Sequence, residues 1–287
     1  MPSGVRAAGE AMFARYAYPP NALGYCGSGD GRELLEFADG HLDPAVPTGA
    51  VVQAQDLDKT LGADKTLGAD MALGADMEQR AKAFDGAWPY LEHLAASSGA
   101  GSVMDQRVVE AYWVGNELLN SGDVESFAAA VRTAFAGQSG TDLEALDASP
   151  APVAHHSFHV FAVYPWVGIL RRTGAPHALR VLDRCRIRWG QVLDVGGAQV
   201  RVRYQPLCWD SSRLGLGEPT TESARLSADG RSLTAVQPGD WVALHWDWVC
   251  DRLTAIQLSA LRRYTARQLA ITNRTRADRS AAEQPAC

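Results

Sequence analysis

The chain has 287 residues, 46% hydrophobic and 21% charged, with a formal net charge of −6. That is enough for one large domain or two ordinary ones with a real core. The acidic balance argues against a broad nucleic-acid footprint, which needs a basic surface. The longest apolar run, 160–170, contains Pro165 and falls short of the roughly 20 residues that span a bilayer.

The opening MPSGVRAAGEAMFARY lacks the continuous apolar stretch of a secretory leader. The cysteines stand at 26, 185, 208, 250 and 287 and form no CxxC pair. Free thiols in a reducing cytoplasm are the expectation.

The first 180 residues predict a domain built of helices. Residues 31–38 form a short amphipathic piece. In 77–97, Phe84, Trp88, Leu91 and Leu94 share one helical face, and Pro89 kinks that helix or starts a second. Val108, Tyr112 and Leu119 mark a helix in 105–120. Val124, Phe127, Val131 and Phe135 mark another in 123–135. Residues 137–153 read as a loop with one short helical turn, and 160–170 as a buried helix. Between them and the N-terminus lies a hexapeptide repeat, KTLGAD-KTLGAD-MALGAD, at 59–76. Six residues advance a helix by about 600°, so Leu61, Leu67 and Leu73 share no face. The segment near 56–76 is expected to be an inserted, disordered loop.

After residue 180 the pattern turns to β. Val200, Val202 and Tyr204 alternate with Gln199, Arg201 and Arg203 beyond a Gly196-Gly197 turn, which predicts a hairpin with one buried face. Short strands follow in 206–217, 222–236 and 237–250. Thr254 and Gln257 stand in capping-box spacing and open a helix. The expected fold class is α+β: an N-terminal all-α domain over 1–180, then a small OB-like β-barrel with a C-terminal helix over 181–272. A flexible polar tail is expected over 273–287. The arginines at 171–172, 184–188 and 201–203 read chiefly as solvated barrel faces.

Two sites carry candidate chemistry. In AHHSFHVF, His155 and His159 are four apart, so a helix would place them on one face, and His156 and His159 are three apart on an adjoining one. Two such histidines bind a metal when a further ligand arrives from elsewhere. Cys26, Asp105, Glu110 and Glu117 are the candidates for that ligand, and histidines packed in a core are the alternative. The second site is Cys185 in RCRIRWG, a metal ligand or a buried core residue. Cys208 and Cys250 read as core, and Cys287 as incidental. Trp209, Trp241, Trp246 and Trp248 pack the barrel or dock a partner. There is no Gly-rich phosphate loop, GxSxG elbow or Rossmann fingerprint.

Residues 185–270 resemble the HypC-type hydrogenase maturation chaperones. Cys185, then RIRW, Gly190 and QVLDV match the opening block of that family. Gly239, Asp240, WVAL, His245 and the helix led by Leu253 match its closing block. Two departures stand out: Cys185 is internal, where the family has a processed N-terminus, and Trp189 stands where the family has proline. The whole chain also resembles an uncharacterised family met beside nickel–iron hydrogenase genes, through 13–27, 155–168 and 183–190.

The resemblance implies a cytoplasmic chaperone that holds iron, with cyanide and carbonyl ligands, through Cys185 and His245. Its partners would be the hydrogenase large-subunit precursor and an iron–sulfur scaffold maturation protein. Arg184, Arg186 and Arg188 would then lower the thiol pKa and balance the iron's negative charge. An internal carrier cysteine has to be exposed by the junction at 175–184. The alternative is a metalloenzyme of the same pathway centred on His155, His156 and His159.

Overall fold

A computed structural model describes residues 3–27, 31–41, 77–120, 122–138, 145–146 and 151–282. The hexapeptide repeat and Cys287 lie outside the described residues.

Helix α1 (Ser3–Ala22) runs through the middle of the molecule. From Gly9 to Asn21 only Arg15 is not buried. A helix covered on all sides carries no polar stripe, so it shows no amphipathic period. It packs against α2 (Arg32–Gly40), the helix Gln106–Trp113 and the strand Trp248–Arg252.

The remaining N-terminal helices begin and end where local chemistry sets them. In α3 (Trp88–Ser98), Pro89 sits in the first turn, so it starts a helix rather than kinking one. The helix stops at Gly99, whose φ of +67° closes a left-handed cap. Asp105 caps α4 (Gln106–Trp113) by accepting from the Arg107 amide at 2.9 Å. Asp123 caps α5 (Val124–Ala134) in the same way. Phe127, Val131 and Phe135 are buried as their spacing predicts, but Val124 is exposed. The apolar run at 160–170 is split: a π-helical turn, His159–Val163, precedes α6 (Trp166–Thr173), with Pro165 as its N-cap. Helix α7 (Pro176–Cys185) follows and delivers the chain to the sheet.

The strands are β1 (Arg188–Gly196), β2 (Gln199–Tyr204), β3 (Leu207–Trp209), β4 (Leu214–Leu216), β5 (Thr220–Arg225), β6 (Ser227–Ala228), β7 (Arg231–Ser232), β8 (Trp241–His245) and β9 (Trp248–Arg252). Five of them close in the cyclic order β1-β2-β5-β9-β8. All neighbours are antiparallel except β5 and β9, which meet through the single pair Arg225–Trp248. The β1–β2 hairpin turns at Gly197, whose φ is +62°. Strands β3 and β4 form a side hairpin that packs on α7. There Leu207 is buried and Cys208 exposed, so Cys208 is not core; Cys250 is.

Helix α8 (Ala255–Ala282) opens with the expected capping box. The Gln257 amide donates to Thr254 Oγ1 at 3.2 Å, and the Thr254 amide donates to Gln257 Oε1 at 3.0 Å. The helix continues to Ala282, so residues 273–282 are helical where a tail was expected.

The fold is therefore mixed α and β. One apolar cluster joins Phe13, Trp113 and Phe158 to Ile187, Trp189, Trp248 and Leu261. It crosses the expected boundary at residue 180, so the helical segment and the sheet share a core. A smaller cluster, including Val192, Val202 and Val242, fills the closed sheet. Among the described residues no helix is long and apolar enough to cross a membrane.

Candidate metal centre

That shared core brings together three side chains from distant parts of the sequence. His156 begins a one-turn helix, Cys185 ends α7 and His245 ends β8. Their ligand atoms all lie within 4.8 Å of one another, and all three residues are buried.

Each histidine is held by a hydrogen bond that fixes its tautomer. His245 Nδ1–H donates to the Tyr16 carbonyl at 2.7 Å, and its Nε2 is buried with no partner. His156 Nε2–H donates to the Cys185 carbonyl at 2.8 Å. A carbonyl only accepts, so the lone pair of neutral His156 sits on Nδ1, 2.9 Å from the Tyr112 hydroxyl. An imidazole whose second nitrogen donates to a backbone carbonyl is the usual arrangement of a metal ligand. The Trp113 ring packs on both imidazoles, with centroids at 4.7 and 5.6 Å.

Burial, the largest cause, pushes His156 down to about 4 and His245 well below its ordinary range. Both rings are neutral, which is the form that binds metal. Burial pushes the Cys185 thiol upward, helped by neighbouring Cys26. This corrects the expectation that three arginines lower it. Arg186 and Arg188 are 1% and 0% exposed and are spent elsewhere. Arg186 binds Asp183 at 2.9 Å and the Gln205 carbonyl at 2.7 Å. Arg188 binds Glu222 and the Trp246 carbonyl, and lies 4.8 Å over the Tyr204 ring. Arg184 also pairs with Glu222, at 2.9 Å. These guanidiniums clamp the sheet, and none is part of a solvated face around Cys185. The junction also buries the thiol: Cys185 is 2% exposed, against the expectation of an exposed carrier cysteine.

The other candidates fall into different places. His155 is the extended N-cap residue, whose Nδ1 accepts from the Ser157 amide at 3.1 Å, and its ring stacks on Tyr264. His159 hydrogen-bonds the Tyr90 hydroxyl through Nδ1 at 3.2 Å. His155 does not share a helical face with His159, because its backbone is extended, whereas His156 to His159 are helical. Asp105 is the cap of α4. Glu110 accepts from Gln257 at 2.9 Å, and Glu117 pairs with Arg107 at 2.8 Å. Trp246 and Trp248 are buried, and Trp241 is half-buried beneath Arg262.

A cavity of about 20 Å³ adjoins the three ligands. Cys26, Phe84, Trp113, His159 and Tyr164 stand on its wall. Sequence reading missed Tyr16, Tyr112, Trp113 and Tyr164. None of the four has a spacing or motif of its own that marks a site.

A family model described as "Family of unknown function (DUF6390)" matches residues 5–279. The chain belongs to that family. No curated protein and no solved structure matches the chain. The DUF6390 match covers His156, Cys185 and His245 alike, together with the segments 13–27, 155–168 and 183–190.

Proposed function

We propose that the protein holds one transition-metal ion between His156, Cys185 and His245 and keeps it as a resident, enzyme-type centre. One observation carries this reading: His245, whose Nε2 is buried without a partner, has a ligand atom within 4.8 Å of those of Cys185 and His156. A bare buried acceptor is costly, and a metal ion would satisfy it. The donor set, two imidazoles and a thiolate, suits iron, zinc or copper and is unsuited to magnesium or calcium. Three protein ligands leave a position open, the pattern of catalytic centres. Cys185 has to stay reduced, so a reducing cytoplasm is the compartment this reading requires.

The maturation-chaperone reading comes second. Cys185 and His245, the two residues the HypC resemblance selects, do meet. The five-stranded closed sheet supports an OB-like assignment for 188–252. In that reading the ion is iron with cyanide and carbonyl ligands, passed from an iron–sulfur scaffold partner to a hydrogenase large-subunit precursor. The burial of Cys185 sets its condition: a partner must open the junction before the iron can leave.

Metal analysis of the purified full chain tests the first reading. One ion per chain is expected, lost in Cys185→Ala and in His245→Ala. A folded wild-type chain that takes up no iron, zinc, copper or cobalt overturns it. Infrared bands in the cyanide and carbonyl region, lost in Cys185→Ala, would favour the second reading.

A further inference from the structure

We propose that the open position of this centre takes an exogenous ligand of one or two non-hydrogen atoms, admitted past a gate formed by Cys26 and Tyr164. The inference rests on the metal reading above and adds the ligand's size and its route.

Size comes from the cavity. Its volume of about 20 Å³ exceeds the roughly 10–15 Å³ that one water needs, and leaves no space for an organic substrate. Pro20, Phe84, Ala87 and Trp113 give it apolar walls. An anion is therefore stabilised there only when bonded to the metal.

The polar groups on the wall are few and placed for a bound ligand. His159 lines the cavity, and its Nε2 is buried without a partner. Space for that ring depends on Gly86, where a Cβ would lie 2.6 Å from Nε2. The π-turn at His159–Val163 sets Tyr164 beside it, with the Tyr164 amide donating to the His159 carbonyl at 3.0 Å. The two rings lie 4.4 Å apart.

The route comes from the difference in burial around the site. The three ligand residues are buried, whereas Cys26 and Tyr164 are half-buried. Cys26 Sγ and the Tyr164 hydroxyl meet at 3.0 Å on the cavity wall, and this contact is the proposed gate. Cys26 rides on a segment whose neighbours Leu23 and Tyr25 are exposed. Asn21 donates to the Cys26 carbonyl at 2.9 Å, the Gly24 and Tyr25 amides donate back to the end of α1, and Tyr25 stacks on Trp246; none of these bonds involves the Cys26 side chain. Parting one sulfur–hydroxyl contact opens the cavity without disturbing the ligands.

The test uses the full chain loaded with cobalt(II), whose visible bands report its coordination. Cyanide, with two non-hydrogen atoms, should shift the bands while the cobalt content stays constant after desalting. Imidazole, with five, should leave them unchanged. Tyr164→Phe should keep cobalt and speed the onset of the cyanide shift, because the gate loses its sulfur–hydroxyl contact. Cys26→Ala should speed the onset of the cyanide shift. Cobalt bands indifferent to cyanide, or responding equally to imidazole, overturn this inference and leave the metal reading standing. Failure to bind cobalt, and iron, zinc and copper as well, overturns both.

Discussion

The imidazole of His245 is tied to the carbonyl of Tyr16, 229 residues earlier, by a 2.7 Å hydrogen bond. Helix α1 thereby orients a ligand carried by the last residue of β8. The bond places the proton on Nδ1 and leaves Nε2 as the ring's bare, buried nitrogen. His245→Gln keeps the residue polar but removes the ring nitrogen. Metal affinity, measured by competition with a chelator, should fall at least about 100-fold, more than the loss of an outer partner. A change below tenfold would show that His245 is no ligand.

Tyr112 has one hydroxyl proton and two acceptors, His156 Nδ1 at 2.9 Å and the Gly86 carbonyl at 2.5 Å. A metal on Nδ1 ends that competition, and the hydroxyl then serves Gly86 alone. Tyr112→Phe leaves Nδ1 as an unpaired buried acceptor in the metal-free state only. The variant should be about 1 kcal/mol less stable without metal. Its metal affinity should rise, about threefold to tenfold. A fall in affinity would place the metal on the other nitrogen or make the hydroxyl a ligand.

Arg188 is buried inside the sheet between Glu222, the Trp246 carbonyl and the Tyr204 ring. Truncation removes those bonds and leaves a void, while Arg184 still pairs with Glu222. Arg188→Ala should cost about 3 kcal/mol, near the lower end for breaking a buried ion pair. Urea unfolding reads the loss, and metal stoichiometry at saturation should stay at one. A stable variant that loses its metal would return Arg188 to the role first expected for it, at the thiol.

The sequence displays some of this and conceals the rest for physical reasons. Local signals held: the Thr254–Gln257 box, the alternation of β2, and the faces of Phe127 and Val131. Cys185 and His245 were legible through a resemblance, and His156 through a dense histidine cluster. That the two sets form one cluster was not legible, because it depends on how the helical segment docks on the sheet. Helix α1 escaped because it is covered on every side. The arginines of RCRIR were misread because both faces of the chain there are buried, one by the helical core and one by the sheet interior. Alternation then no longer separates core from solvent.

The last prediction concerns acid. Burial pushes His155 and His159 down to about 3, below the ordinary 6.5. The unfolded chain therefore binds protons that the native state refuses. Their contribution is fully present above about pH 6.5 and is lost as the pH falls from there towards 3. At pH 5.5 each histidine should cost about 1.4 kcal/mol relative to neutral pH. The urea midpoint of the metal-free chain should therefore drop between pH 7.5 and 5.5, with an unchanged m-value. His156 and His245 are lowered as well and add to the drop of the metal-free chain; His159→Phe removes one of these buried histidines, so its drop should be smaller by about 1.4 kcal/mol. A midpoint that holds constant across this range would mean that the histidines are reached by solvent, and that the closed core around the metal ligands does not exist.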